Sequence, residues 1–228
     1  MSSTLSGLSS MATKHVLADL SRDYVQKTGQ RVSVISMGGV DAAARVRAGE
    51  RCDFVVLAAD AIAKLEAEGL VVSGTRADVA RSGIAVAVAA GAPEPDISSE
   101  SAVRDAVMQA KAIGFSTGPS GSHLARLFEK WGIAESVKPR LKQAPPGVPV
   151  GALLVRGEAD LGFQQLSELI HLDGIKVLGP LPSAIQATTT FSGAVCATSG
   201  HAQETRDLLA FLTSPETTAC KQRHGMSP

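Results

Sequence analysis

The chain has 228 residues, 44% hydrophobic and 19% charged, with 22 Lys and Arg against 22 Asp and Glu. Zero net charge and the lack of any Lys/Arg run longer than a pair exclude a polyanion-binding surface, so nucleic acid is not an expected partner. The longest apolar stretch, Gly83 to Ala90, is far short of the roughly 20 residues a membrane helix needs, so direct membrane insertion is not expected. With aromatic residues at only 4%, the core must be built from Val, Leu, Ile and Ala, which suits helices lying on a sheet. The first residues, MSSTLSGLSSMATKH, carry no positive charge before Lys14 and no long apolar run. As written they predict a cytoplasmic protein, and a chain whose leader had been removed, hence periplasmic, would read the same. Cys52, Cys196 and Cys220 are odd in number and lack CxxC spacing, so spacing alone indicates neither a disulfide framework nor a zinc site.

Taken in chain order, strand-like and helix-like segments alternate with short gaps, which predicts an α/β fold of parallel βαβ units. Thr4 to Leu8 reads as a first strand, and Ala12 to Thr28 as a helix with Val16, Leu17, Leu20 and Tyr24 on one face and a stop at Gly29. Arg31 to Ser36 is a second strand, followed by Gly38-Gly39 and a helix through Ala48. Phe54 to Ala58 is a buried third strand, and Asp60 is expected to cap a helix over Ala61 to Glu68. The rhythm restarts after the apolar stretch Gly83 to Ala90, with a strand at Ala112 to Phe115. The loop Ser116 to Gly121 then leads into a helix bearing Leu124, Leu127, Phe128 and Trp131. Leu141 to Ala144, a short helix Val150 to Arg156, and strands around Asp160 to Phe163 and Ile175 to Leu178 complete a second lobe. Thr188 to Ala197 is β-prone and precedes two terminal helices, His201 to Leu212 and Pro215 to Arg223, the latter with Ser214 as its cap. Those helices are expected to return to the first lobe. The predicted architecture is therefore two lobes, residues 1–82 plus 188–228 and residues 83–187, joined by a two-stranded hinge with a ligand cleft between them.

In open parallel sheets ligands bind beyond the carboxyl ends of the strands, where Ser9-Ser10, Gly38-Gly39, Ala59-Asp60 and Ser116 to Ser122 fall. Helix N-termini present unpaired N–H groups and partial positive charge, and glycine lets that backbone approach a ligand, so these loops predict a small-anion site. Ser9, Ser10, Ser120 and Ser122 can add hydroxyl donors, although each can equally be read as a helix cap.

These residues carry a resemblance. The Ser9-Ser10 start of the first helix, Asp53 to Asp60, the Gly118-Pro119-Ser120-Gly121 loop running into Leu124 to Phe128, and Gly157 to Phe163 resemble type II periplasmic binding proteins of the molybdate-binding branch. The resemblance spans essentially the whole chain. It implies two lobes, a ligand held by hydroxyls and main-chain N–H groups, no metal or other cofactor, and a membrane transporter as an expected partner of a transport receptor. It places ligand contacts at Ser9, Ser10, Gly38, Gly39, Val40, Ala59, Ser120, Gly121, Ser122, Pro149, Val150, Gln164 and Gln165.

Two departures point away from molybdate. Gly38-Gly39-Val40 stands where that branch offers hydroxyls, and Gln164-Gln165 where it has a tyrosine. The stretch Phe163 to Leu169, with Pro145 to Val150, is more similar to aconitate isomerases, which move a double bond in a tricarboxylic acid on the same fold. An amide can both donate to a carboxylate and accept from a hydroxyl, so Gln165 suits an organic acid. The expected function is thus a small-anion solute-binding protein, with a cofactor-free isomerase of an unsaturated di- or tricarboxylate as the alternative and a ligand sensor as a third possibility. Under the isomerase alternative His123 is the candidate base, with the competing reading of a solvent-facing first-turn residue. Lys14 is a second candidate base or clamp. Arg81 would pair either with a ligand carboxylate or with Asp53 or Asp78. No dinucleotide, P-loop or Gly-x-Ser-x-Gly signature is present.

Overall fold

The structure is a computed structural model and describes residues 4–228. The chain divides into two compact units, one of residues 4–82 with Thr189–Pro228 and the other of Gly83–Thr188.

In the first unit β1 (Leu5–Ser10), β2 (Val32–Met37) and β3 (Phe54–Ala58) run parallel in the order β2-β1-β3. The later strand β9 (Thr188–Val195) adds antiparallel to β3. Each parallel strand feeds a helix: α1 (Lys14–Thr28) after a 3-10 turn at Met11–Thr13, α2 (Gly39–Arg47), and α3 (Ala59–Ala67). The expected face of α1, Val16, Leu17, Leu20 and Tyr24, is the buried one, and it packs with Phe54, Val56 and Phe191. The terminal helices α9 (Ala202–Leu212) and α10 (Thr218–Arg223) lie in this unit, and both pack on α1. α2 and α3 cover the opposite face of the sheet through Ala42, Val46, Ile62 and Leu65. Asp53 is buried beneath, its Oδ2 accepting from the Ser6 N–H at 2.8 Å and its Oδ1 from the Ser199 hydroxyl at 2.8 Å. A buried carboxylate this well supplied with donors is a structural tie.

In the second unit β4 (Ala77–Ala89) pairs antiparallel with β7 (Leu161–Gln165), and β7, β5 (Ile113–Phe115) and β6 (Leu141–Gln143) run parallel in that order. β8 (Ile175–Pro180) lies antiparallel on the other side of β4, with a bulge between Val86 and Ala87. α4 (Glu100–Gln109), α5 (Pro119–Lys130) and α6 (Ala134–Val137) pack on one face, and α7 (Val150–Val155) on the other. Gly114 and Gly162 pair across β5 and β7, and a Cβ on either would come within 2.9–3.0 Å of Val150 Cγ1. Bare backbone at both positions lets α7 sit directly on the sheet. The chain passes between the units within β4 and at the start of β9.

Several elements differ from the sequence reading. α3 begins at Ala59 directly after the strand, so Asp60 lies inside its first turn and Ala58 occupies the cap position. Ser214 holds the cap position before the last helices but makes no side-chain capping bond. α4 was not expected, although Ser99 caps it with its hydroxyl accepting from Ala102 N–H at 3.1 Å. The four-residue α8 (Leu166–Leu169) was also not expected. Among the described residues no helix is long and apolar enough to cross a membrane.

Candidate functional site

The parallel strands of the first unit all end at one edge, and the register sets Ser10 beside Met37 and Ser9 beside Val56. There Ser10 caps the 3-10 turn, its Oγ accepting from Ala12 N–H at 3.3 Å, and it stays half-buried at the sheet edge. A Cβ on Gly39 would lie 4.0 Å from Ser10 Oγ, an ordinary contact distance, so the first turn of α2 and Ser10 border the same small surface. Gly38 and Ala59 are half-buried at the same edge, and Val40 is 67% exposed, turned outward on α2. Ser9 does not belong with them. It is fully buried, bonded to Ser36 Oγ at 2.8 Å, because it is the penultimate residue of β1 and faces its neighbour strand rather than the strand end. Lys14 is exposed at the start of α1. Arg81 is tied to the carbonyl of Pro228, and its backbone pairs with Ser227. Asp53 and Asp78 accept instead from Ser6, Ser199 and Ser192, so neither expected partner of Arg81 is used.

In the second unit the parallel strands β5, β6 and β7 point to one edge: Phe115 and Gln143 end β5 and β6 side by side, and β7 runs two residues past Phe163, the partner of Phe115. The loops that follow therefore leave the sheet at one edge. After β5 the chain turns through Ser116 to Gly118 into α5. Ser116 Oγ accepts from Gly118 N–H at 3.2 Å and lies 3.0 Å from Ser120 Oγ, which is 1% exposed. A Cβ on Gly121 would fall 1.9 Å from the Ser116 carbonyl oxygen, so only glycine allows this turn. Pro119, which has no N–H, fills the first helical position, leaving the N–H groups of Ser120 and Gly121 as first-turn donors without helical partners. Ser122 is different: its side chain is exposed and its N–H is bonded to the Gly118 carbonyl at 3.2 Å.

The loop after β7 holds the residue that sequence reasoning missed. Gln164 Nε2 donates to Glu168 Oε2 at 2.7 Å, while Gln164 Oε1 accepts from Val150 N–H at 2.7 Å. Gln164 is thus a buried clamp between α7 and Glu168 rather than a free ligand donor, and the Val150 N–H is already taken. Pro149 is half-buried at the α7 cap position, and Gln165 is buried at the α8 cap position. Burial pushes the Glu168 carboxyl up to about 7, and the Gln164 amide only partly offsets that rise. A carboxyl that changes charge near neutrality can take and return a proton. The stretch Phe163 to Leu169 contains it, but the Gln-x-x-x-Glu spacing that links it to Gln164 has no meaning until the strand-to-helix junction at Gln165 is known.

His123, the candidate base under the isomerase alternative, is pinned. Its Nε2 lies 2.8 Å from the Ile185 carbonyl, a contact that requires an N–H donor and ties α5 to the turn at Ser183–Ile185. Although spacing pointed to no metal cluster, the fold gathers Asp19, Cys220 and His224, with donor atoms within 4.8 Å of one another. His224 Nε2 is 3.0 Å from Asp19 Oδ2, a contact that joins α10 to α1.

Comparison with known proteins follows the same outline. An aconitate isomerase from Pseudomonas sp. is 36% identical over 231 residues, covering 99% of this chain and 88% of that protein. The periplasmic molybdate-binding protein of Azotobacter vinelandii superposes with a TM-score of 0.81 at 17% identity, over 98% of this chain and 99% of that one. The sulfate-binding protein SubI of Mycobacterium tuberculosis gives 0.75 at 18% identity, over 99% of this chain and 87% of that one. A family model described as bacterial extracellular solute-binding protein matches residues 5–227, which take in every element from β1 to α10. The chain belongs to the bacterial extracellular solute-binding proteins.

Proposed function

We propose that this protein binds an unsaturated tricarboxylate and shifts its double bond, the activity named for its aconitate isomerase relative. The observation that carries the reading is Glu168, a carboxyl held by Gln164 at the end of β7 and titrating at about 7. A receptor for a fully ionised oxyanion needs donors only, and a titrating carboxyl beside the ligand would repel it. An allylic isomerase needs such a group. In its ionised form Glu168 removes a proton from the methylene carbon next to a substrate carboxylate, and the electron pair spreads over the allylic system and that carboxylate. The carboxylic acid then returns the proton to the far allylic carbon, so no cofactor and no net change of charge are required. The first-turn N–H groups of Ser120 and Gly121 and the Ser120 hydroxyl are suited to stabilising the negative charge that builds up on the substrate.

The test is interconversion of cis- and trans-aconitate by the purified chain, with Glu168→Gln as control. Turnover that the variant lacks supports the reading. The hydroxyl and N–H donors around Ser120 favour a second reading, a receptor that holds an inorganic oxyanion and delivers it to a membrane transporter. Stabilisation by molybdate or sulfate with no aconitate turnover would favour that reading.

A further inference from the structure

We infer that Cys52 and Cys196 form a reversible intramolecular disulfide that ties the entry of β3 to the end of β9. Their Sγ atoms are 3.1 Å apart across a sequence separation of 144 residues, and both side chains are buried, at 4% and 1% exposure. The backbone already holds the two segments together. The Cys196 N–H donates to the Asp53 carbonyl at 2.9 Å, and the Thr198 hydroxyl donates to the Cys52 carbonyl at 3.3 Å. A bond of about 2.05 Å needs an approach of roughly 1 Å, within the reach of side-chain rotation. Either sulfur can donate across this contact, and the Cys196 thiol's capacity to donate to a Cys52 thiolate holds the Cys52 thiol below its ordinary range and marks it as the attacking sulfur. The proposal is independent of the isomerase reading.

The oxidant is a small disulfide such as oxidised glutathione. The Cys52 thiolate attacks one of its sulfurs, forming a mixed disulfide and releasing one glutathione thiolate. The Cys196 sulfur, losing its proton, then attacks Cys52 and releases the second. Two protein thiols become one disulfide, and one glutathione disulfide becomes two thiols. Cys220 is a built-in control, because it is buried on α10, where its polar neighbours are Asp19 and His224 rather than another thiol.

The experiment equilibrates the full chain with oxidised and reduced glutathione, denatures it, blocks remaining thiols with N-ethylmaleimide and measures the intact mass. The expected result is one adduct rather than three, a peptide cross-linked between Cys52 and Cys196, and a rise in Tm that dithiothreitol reverses. Cys220→Ser should keep the rise, while Cys52→Ser and Cys196→Ser should each abolish it. Three adducts after oxidation, glutathione retained on Cys52, or a cross-link through Cys220 would each overturn the inference.

Discussion

Replacing Glu168 by Gln keeps the shape and the acceptor that Gln164 Nε2 needs, and removes only the ionisation. In the folded protein the carboxyl titrates at about 7, against 4.5 for an ordinary glutamate. Between those two pH values the unfolded chain has released this proton while the folded chain still holds it. The contribution to stability is therefore fully present below pH 4.5 and is lost as pH rises through about 7. At about 1.36 kcal/mol per pH unit the gap corresponds to about 3 kcal/mol, an upper value because Glu168 is half-buried and water relaxes around its charge. Glu168→Gln should match the parent below pH 4.5 and exceed it at pH 8 by up to about 3 kcal/mol, or roughly 6–12 °C in Tm. Thermal unfolding across that pH range reads the difference. The same variant should be inactive on aconitate. Parallel stability curves at every pH, or a variant less stable at pH 8, would refute the account of Glu168 as a carboxyl kept neutral by burial.

The remaining predictions concern its surroundings. In the parent kcat/KM for aconitate should fall about tenfold per pH unit below about 7, because only ionised Glu168 accepts the proton. Ser120→Ala should weaken ligand binding by about 1–3 kcal/mol in calorimetry, since the buried hydroxyl leaves an anionic acceptor one donor short. Gly121→Ala drives a methyl against the Ser116 carbonyl and should cost about 1–3 kcal/mol of stability by denaturant unfolding. His123→Ala should lower stability by about 0.5–1.5 kcal/mol through loss of the Ile185 contact while leaving turnover within a few-fold of the parent.

Much of the βα rhythm was legible because apolar runs such as Phe54 to Ala58 are buried on both faces and glycines such as Gly29 take the left-handed conformation that ends a helix. α4 escaped because its core stripe is only Val103, Ala106 and Val107 in a polar, alanine-rich segment, too narrow to show a helical period. α8, at four residues, is shorter than any such period. Asp60 misled because a strand that runs straight into a helix leaves no loop residue to act as a cap. At the site, Ser120 and Gly121 could be read from their place after a strand, whereas Ser9 could not be separated from Ser10 without the register. Glu168 was invisible for a deeper reason: its altered proton affinity comes from burial that only the packed chain creates.

The most direct test is to incubate the purified protein with trans-aconitate and follow its conversion to the cis isomer by proton NMR, alongside thermal unfolding with molybdate and sulfate. Conversion in the parent and none in Glu168→Gln is the predicted result. Strong stabilisation by an inorganic oxyanion, with trans-aconitate left unchanged, would contradict the isomerase assignment.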